Sequence, residues 1–322
     1  MRAYLIRRFC QTLIVLFVVM SLVFVLFRLL PGDPTAMMVD QSLDQLARQR
    51  LLVEWGLDAP LFQQYLTFLK NIAVLNFGES FYYRQPVWQA ISSSWWNTVV
   101  LMGTAMPIAL AVGILAGAYL GWRRGSRMER FGIVLALILR STPIFWLGII
   151  VLMVFSYWLH LFPTGGMREA GSSGEGLLST YLSMDFLHHM GLPLLTATLY
   201  FLADPMMIMR TSMLEIKSED FLEHLRAVGF SETALMRHCA RNALLPVVTF
   251  ASIMVGFVFG GQVLLEIVFA WPGIGREMVL AIDRRDYPIA QASFIIMSCM
   301  VISMNFVVDL LYSRLDPRIR YA

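Results

Sequence analysis

The sequence predicts an all-α protein that crosses a membrane six times. Of its 322 residues, 58% are hydrophobic and only 15% are charged, and the mean hydropathy is +0.65. This composition leaves too little polar surface to cover a water-soluble globule of that size. Apolar runs long enough to cross about 30 Å of hydrocarbon occur at six places. These predicted spans are residues 9–30, 98–122, 131–160, 190–210, 246–270 and 289–312.

The first predicted span follows Arg2, Arg7 and Arg8, as the apolar core of a secretion signal would. The run is longer than such a core and has no small-residue cleavage site, so we expect it to remain as an uncleaved span. Residues 31–97 then form an extracytoplasmic insert, which we expect to cap the outer mouth of the helix bundle. The whole chain, residues 1–322, is therefore predicted to be a single transmembrane domain.

The second predicted span carries Gly113, Gly117 and Gly121 at four-residue spacing, which places them on one helix face. Small residues aligned in this way let helix backbones approach closely in lipid, where there is no hydrophobic drive for association. The pattern favours packing inside a bundle or against a partner subunit over a role in lining a pore.

Two charges fall well inside predicted spans, Arg140 in the third and Asp204 in the fourth, whereas Glu266 and Asp309 lie nearer the ends of the fifth and sixth. A charge in hydrocarbon is expensive unless it is paired or faces water. At 1.5 Å per residue, the two residues lie at similar depths of about 14 and 9 Å from the cytoplasmic boundaries. We hypothesise that they approach one another or face the same aqueous cavity, as part of a pathway. The alternative is that the span boundaries are shifted and each side chain reaches the interface separately.

Between the fourth and fifth predicted spans, residues 210–245 are polar and are expected to form two short amphipathic helices hinged at Gly229. Glycine is favoured in the left-handed conformation that ends a helix, and Ser231 can cap the helix that follows. The apolar face of the first helix is predicted to contain Leu214, Phe221, Leu225 and Val228. Such a segment is where a partner outside the membrane would bind; the alternative is an ordinary interfacial loop.

The distribution of Lys and Arg predicts the orientation of the chain. The N-terminus has 3, residues 122–130 have 4, the segment from Arg210 has 5 and the C-terminal tail has 3. The two short segments on the opposite side hold 1 and 3. The positive-inside rule therefore places both termini and the Gly229 hinge in the cytoplasm. The net charge of +3 suits anionic lipid headgroups better than nucleic acid.

The sequence lacks the common motifs of ATP-hydrolysing, metalloprotease and serine-hydrolase sites. The sequence has no Gly-Lys pair, so it cannot contain the phosphate-binding loop that ends in Gly-Lys-Ser/Thr, and any ATP hydrolysis must occur on another polypeptide. Neither His-Glu-x-x-His nor Gly-x-Ser-x-Gly occurs. His160, His188 and His189 lack further ligand spacing, so interfacial histidines are favoured over a metal route. We predict no catalytic site, no bound cofactor and no metal on this subunit.

Several short motifs nevertheless resemble one family: the inner-membrane permease subunits of ATP-binding-cassette (ABC) importers, in the dipeptide, oligopeptide and nickel branch, close to the dipeptide permease B type. They occur in order along nearly the whole chain. The matching motifs are FRLLPGDP (27–34), PIFWLG (143–148), RTSMLE (210–215), RNALLP (241–246), FAWPGIG (269–275), DYP (286–288) and VDLLYSRLDPRIRY (308–321).

The resemblance implies a type I ABC importer permease fold with a cytoplasmic coupling helix. In this family the coupling helix lies in the EAA motif and docks in a cleft of the ATPase subunit. Here the motif starts at Glu223, but His224 and Leu225 stand where the family has two alanines. The residues to which the resemblance carries the coupling role are Glu223, Arg226, Ala227, Gly229, Phe230 and Ser231.

The resemblance also implies partners and a location. The partners are a second related permease, two ATP-binding subunits that carry ATP and Mg, and an extracytoplasmic solute-binding protein, assembled in a bacterial inner membrane. The leading function is uptake of short peptides, and the nearest alternative is uptake of nickel or a metal chelate. Functions of another class are a non-transporting membrane scaffold or receptor, and a self-sufficient channel.

Overall fold

The computed structural model describes residues 2–29, 59–169, 171 and 180–315. Within these residues the chain is helical, and strand-like pairing is limited to one isolated bridge between Glu79 and Pro86. The predicted all-α class is therefore confirmed. The helices are α1 (Arg2–Leu29), α2 (Leu61–Ala73), α3 (Val87–Trp122), α4 (Arg127–Ser141), α5 (Ile144–Leu152), α6 (Met184–Lys217), α7 (Asp220–Ala227), α8 (Glu232–Gly260), α9 (Val263–Val268), α10 (Ile274–Asp283) and α11 (Tyr287–Leu315).

Five of the described helices, α1, α3, α6, α8 and α11, are long and apolar enough to cross a membrane. Helices α4 and α5 pass the same test only together, with a π-helical turn at Met153–Trp158 extending α5. The pair is bent by 106° at its break, where Pro143 precedes α5. The number of spans is six, as predicted, if this bent pair crosses the membrane as one span.

Several helices extend beyond the predicted spans. Helix α3 begins at Val87, within the predicted insert 31–97. The predicted span 246–270 is divided between α8, which starts at Glu232, passes through Pro246 and ends before Gly261, where φ is +65°, and the short helix α9. Hydropathy detects only the apolar part of a helix, and the polar turns that extend it into water give no signal. Of the rest of the insert, residues 31–58 lie outside the described residues, and residues 59–86 contain α2.

The chain divides into two compact units. The terminal unit comprises Met1–Asn97 with Gly273–Ala322, and the central unit comprises Thr98–Pro272. In the terminal unit α11 packs along α1 and against α10, around a core that includes Ile91 and Ile289. That residues 1–322 form one transmembrane domain stays a prediction.

In the terminal unit, the DYP motif ties a loop to the start of α11. The buried Asp286 carboxylate accepts hydrogen bonds from the Ser80 hydroxyl at 2.5 Å and the Tyr82 N–H at 3.1 Å. Arg284 donates to the Tyr83 hydroxyl at 2.9 Å, and this hydroxyl donates to Glu277. Burial raises the pKa of Tyr83, which keeps the hydroxyl protonated and able to donate. The aspartate is thus a structural anchor of this loop.

In the central unit α6 is the helix against which α4, α5 and α8 pack. Its contact with α3 explains the spaced glycines. A Cβ at Gly113 would lie 2.8 Å from Pro205 Cγ, and a Cβ at Gly121 would lie 2.6 Å from Met213 Cβ. A Cβ at Gly117 would meet the Met206 carbonyl oxygen. The predicted close packing of helices is confirmed, and α6 is the neighbour that requires it.

Candidate functional site

The turn between α7 and α8 is built on glycine. Gly229 has φ +95°, in the left-handed region. Its N–H donates to the Arg226 carbonyl at 3.0 Å, and the Phe230 N–H donates to the Leu225 carbonyl at 3.2 Å. These two bonds form a Schellman motif, which satisfies carbonyls at the end of α7 and fixes the direction of the chain. The predicted hinge at Gly229 is therefore a defined turn.

The helix that follows starts as predicted. Ser231 is the N-cap of α8, and its hydroxyl accepts a hydrogen bond from the Ala234 N–H at 3.4 Å. Arg226 also forms an ion pair with Glu232 at 3.4 Å, which joins α7 to the first turn of α8. The Phe230 ring contacts the His238 ring edge-on, with 5.6 Å between centroids. Capping, charge and ring contact together hold the two helices at the turn.

Helix α7 is anchored through one residue, Leu222. This side chain is 3% exposed and is the buried residue of α7. It belongs to an apolar cluster with residues of α3, α6 and α8, including Met213, Leu235 and Val247. Because this cluster connects α7 to three long helices, a displacement of α7 would be transmitted to them.

The predicted secondary structure of residues 210–245 is partly wrong. Helix α6 runs to Lys217, and the chain leaves helical geometry at Ser218 and Glu219 before α7 begins. The periodicity assumed from Leu214 onward is thereby interrupted, so the predicted apolar face is not continuous. Phe221 and Val228 are exposed, and Leu222 is buried in their place. Similarly, α8 is one helix of 29 residues and not a short helix followed by a separate span.

All six residues assigned to coupling lie together at α7 and its turn. Their side chains, or for Gly229 its backbone, are exposed on this part of the chain. Those residues are Glu223, Arg226, Ala227, Gly229, Phe230 and Ser231. Beside them Lys217, at the end of α6, donates to the Trp122 carbonyl at 2.6 Å and lies over the Trp122 ring. That contact was not predicted, and it fixes the end of α6 to the end of α3.

A buried ion pair between α4 and α6 was also missed by the sequence analysis. The Arg210 guanidinium donates to Glu129 Oε1 through Nε at 2.9 Å and through Nη2 at 2.5 Å, and Glu129 is 4% exposed. The Gly125 N–H donates to the other carboxylate oxygen. A signal was present: Ser126 and Glu129 have the spacing of a capping box, and Ser126 does cap α4. The partner on α6 gave no such signal.

The second ion pair between these helices joins the two intramembrane charges. Arg140 Nη1 lies 3.1 Å from Asp204 Oδ1. The two side chains do approach one another, as hypothesised from their depths. Their assignment to a solute pathway stays a prediction. A pathway requires access to the pair, and the Arg140 side chain is 65% exposed and that of Asp204 is 35% exposed.

Comparison with known proteins places this geometry in a family. Residues 109–321 match the family described as binding-protein-dependent transport system inner membrane component, and residues 1–102 match the family described as the N-terminal part of such a membrane component. Both matches follow the order of the chain, and together they account for nearly all of it.

Full-length relatives carry the same description in more detail. The chain is 37% identical over 334 residues to the di/tripeptide transport system permease protein DppB of Pseudomonas aeruginosa (strain UCBPP-PA14), covering 100% of this chain and 99% of the relative. It is 35% identical over 324 residues to the oligopeptide transport system permease protein AppB of Bacillus subtilis (strain 168), with 100% of both covered. It is 35% identical over 323 residues to the glutathione transport system permease protein GsiC of Escherichia coli (strain K12), with 99% of both covered.

These matches span the coupling residues, both ion pairs and the spaced glycines, so the site described above lies within the shared region. The protein is a multi-span membrane protein, and it belongs to the family of membrane permease subunits of ABC importers, in the dipeptide and oligopeptide group.

Proposed function

We propose that this chain is the permease subunit of an ATP-driven importer of short peptides, in which it forms half of the translocation pathway. The other half is a second, related permease. Two ATP-binding subunits hydrolyse ATP with Mg, and an extracytoplasmic binding protein delivers the solute. Both termini and the coupling segment, which is α7 with the turn to α8, lie on the cytoplasmic side of a bacterial inner membrane.

The observation that carries the proposal is the construction of the coupling segment. Helix α7 and its turn present Glu223, Arg226 and Phe230 on an exposed surface, while Leu222 holds the other side of α7 in the apolar cluster. The Schellman turn at Gly229 prevents α7 from moving independently of α8. A rigid connection of this kind transmits a displacement by a cytoplasmic motor, whereas a flexible loop would absorb it.

The solute class is proposed from the relatives. Those named above are described as transporting di- and tripeptides, oligopeptides and glutathione. These names favour short peptides over nickel or a metal chelate for this chain. Membership of a permease family likewise favours transport over a scaffold or receptor that only recruits a cytoplasmic partner.

Reconstitution tests the proposal. The chain is assembled in lipid vesicles with its partner permease, both ATPase subunits and the binding protein, and accumulation of radiolabelled dialanine is measured with and without ATP. We expect accumulation that requires ATP and every one of the partners. Accumulation of Ni²⁺ but of no di- or tripeptide would reassign the solute, and accumulation by the permease chain alone would contradict the proposed division of labour.

A further inference from the structure

The two ion pairs between α4 and α6 differ in how completely their charges are satisfied. The Glu129 carboxylate accepts two hydrogen bonds from Arg210 and one from the Gly125 N–H; Glu129 is buried and Arg210 largely so. The Arg140–Asp204 pair has a single contact, at 3.1 Å, with Arg140 exposed and Asp204 half-buried on the isolated chain. We call the Glu129–Arg210 pair closed, because both carboxylate oxygens accept hydrogen bonds. We call the Arg140–Asp204 pair open, because it has only one contact.

The open pair has unused bonding capacity. A guanidinium carries five N–H donors and a carboxylate accepts through two oxygens, but one contact uses only a small part of this. Within the part of the chain that the structure describes, Arg140 and Asp204 make no other ion pair or side-chain hydrogen bond. The remaining donors and acceptors therefore have to be satisfied by water or by a group that comes from outside the chain.

The depth of the pair makes this requirement severe. Arg140 stands 13 residues after the start of α4 at Arg127, and Asp204 stands 13 residues before the end of α6 at Lys217. Each is therefore about 20 Å of helix away from the end that carries the basic segment, and about 14 and 9 Å, respectively, from the predicted span boundaries. At such a depth charged groups face a bundle interior or a water-filled cavity and not lipid.

At this level α4 ends, and α6, which continues, lacks one backbone hydrogen bond. Helix α4 ends at Ser141, one residue after Arg140, and the following helix leaves at an angle of 106°. The Ile138 carbonyl accepts hydrogen bonds from the Thr142 N–H and hydroxyl, which leaves the last three carbonyls of α4, those of residues 139–141, without intrahelical partners. On α6, Pro205 follows Asp204 and cannot donate to the carbonyl of Phe201. Non-helical backbone at membrane depth is tolerated where it lines water or is buried in protein, and interrupted helices often form the solute site of transporters.

We propose that Arg140 and Asp204 form a solute-binding site inside the membrane, which takes the two charged ends of a zwitterionic short peptide. The Arg140 guanidinium binds the solute carboxylate, and the Asp204 carboxylate binds the solute ammonium, assisted by the free carbonyls at the end of α4. This inference rests on the proposed function, because short peptides are the solutes that carry both groups.

The chemistry of exchange supports this arrangement. In the empty site the two side chains neutralise each other, so no net charge lies in the membrane. A zwitterion that enters replaces one internal ion pair by two intermolecular ones and again brings no net charge. A solute without its carboxylate or ammonium would leave one protein charge unpaired at depth, which costs affinity. The site therefore distinguishes free dipeptides from those with blocked ends.

Cysteine labelling in the complete reconstituted transporter tests the site. Met207 is half-buried on α6, one turn beyond Asp204, and Met207→Cys reports access of water to the pair. The matched control is Leu115→Cys, on the exposed face of α3, which we expect to contact lipid. Each variant is treated with a water-soluble maleimide, and the labelling of the native cysteines in the unchanged chain is subtracted.

We expect Met207→Cys to be labelled and Leu115→Cys to remain largely unlabelled, since a thiol reacts as the thiolate, which needs water. Dialanine at its Kd should lower the labelling rate of Met207→Cys to about half, because half of the sites are then occupied. N-acetyl-dialanine amide, which lacks both charges, should give no protection. Absence of labelling at Met207→Cys, or equal protection by the blocked dipeptide, would overturn the proposal and assign the pair to lipid, to a subunit interface or to another task.

A second variant tests Arg140 itself. In the Met207→Cys background, Arg140→Gln should keep the labelling but lose the protection by dialanine, and Arg140→Lys should retain part of it. Protection that survives in Arg140→Gln would contradict the role of this residue. If Arg140→Gln does not assemble, the comparison is made between Arg140→Lys and Asp204→Asn, of which only the second should lose protection.

The two proposals fail in different ways. If the unmodified transporter accumulates dialanine with ATP but dialanine protects no cysteine near the pair, only the binding site is wrong. If the unmodified transporter accumulates no peptide, the proposed solute class is wrong, and this is decided without any change at Arg140 or Asp204.

Discussion

At the scale of single residues, Gly229 and Glu129 show two ways in which one position determines local structure. Gly229 is required by its backbone conformation, with φ +95° in a two-bond helix terminus. Glu129 is required by its charge, because the largely buried Arg210 guanidinium has no other carboxylate at hydrogen-bonding distance among the described residues. A substitution at either position should therefore have an effect that a similar change at a less constrained residue does not have.

Gly229→Val should impair coupling without preventing membrane insertion. No atom lies within 4 Å of a Cβ built at this position, so the cost is backbone strain and not a clash. The left-handed conformation costs an L-residue about 1–2 kcal/mol, and a β-branched side chain is the least tolerant of it. We expect lower dialanine uptake and weaker co-purification of the ATPase subunits. Gly229→Asn is the control, since asparagine tolerates this conformation. Uptake and co-purification that are both intact in Gly229→Val would show that the segment does not couple.

Glu129→Gln should destabilise the permease strongly, because it leaves the Arg210 guanidinium, whose side chain is only 19% exposed, without its counter-ion. Removing one partner of a buried ion pair typically costs about 3–5 kcal/mol. The control is Glu232→Gln, in the exposed pair with Arg226, where the loss should be about 0–1 kcal/mol. Thermal unfolding of the purified permease in mild detergent compares the two variants. Equal Tm values for both would show that the buried pair has no special weight.

At the scale of elements, α6 is the most constrained helix of the central unit. Spaced glycines hold α3 against it, two ion pairs join it to α4, and its C-terminal end is fixed to α3 through Lys217. The apolar cluster around Leu222 adds α7 and α8 to the same assembly. A displacement of α7 is therefore expected to move these helices together.

Gly117→Ala should loosen the contact between α3 and α6. The added Cβ would lie 2.8 Å from Met209 Cβ and would also press on the Met206 carbonyl, and such overpacking costs about 1–3 kcal/mol. Gly103→Ala is a control on the same helix, because its Cβ would meet only Val258 Cγ1 at an ordinary 3.7 Å. That change should be neutral or stabilising by up to about 1 kcal/mol. The measurement is the Tm of each variant in mild detergent, and a Tm loss for Gly103→Ala as large as for Gly117→Ala would refute the close-contact account.

At the scale of the whole molecule, the topology depends on whether the bent pair α4–α5 crosses the membrane. With six spans, the coupling segment is on the same side as the N-terminus. With five, because α4 and α5 re-enter on one side, it is on the opposite side. The distribution of Lys and Arg favours six.

Labelling of single cysteines in intact cells decides the topology. Tyr82→Cys, which is exposed on the loop between α2 and α3, should react with an impermeant maleimide from outside. Glu232→Cys, which is exposed beside the Gly229 turn, should react only after the inner membrane is permeabilised. Reaction of Glu232→Cys in intact cells would mean that α4–α5 does not cross, and would remove the coupling segment from the side where ATP is hydrolysed.

Some features could be read from the chain because their causes are local. Apolar runs of about 20 residues predict helices in a membrane, so the helical class and the approximate spans follow from hydropathy. Gly229 and Ser231 predict a helix end and a helix start because turn and cap chemistry acts within a few residues. The glycines of α3 predict close packing because a missing side chain is useful only to a near neighbour.

Other features were decided by tertiary structure. The sequence alone did not indicate that Arg210 meets Glu129, that Leu222 and not Phe221 is buried, or that Trp122 receives Lys217. Each depends on the rotation of one helix relative to another that is distant in sequence, and hydropathy does not fix this rotation. The sequence by itself therefore determined the class, the approximate spans and the hinge of this protein. The packing of helices decided which charged side chains satisfy each other's hydrogen bonds and which, like Arg140 and Asp204, keep unused donors and acceptors.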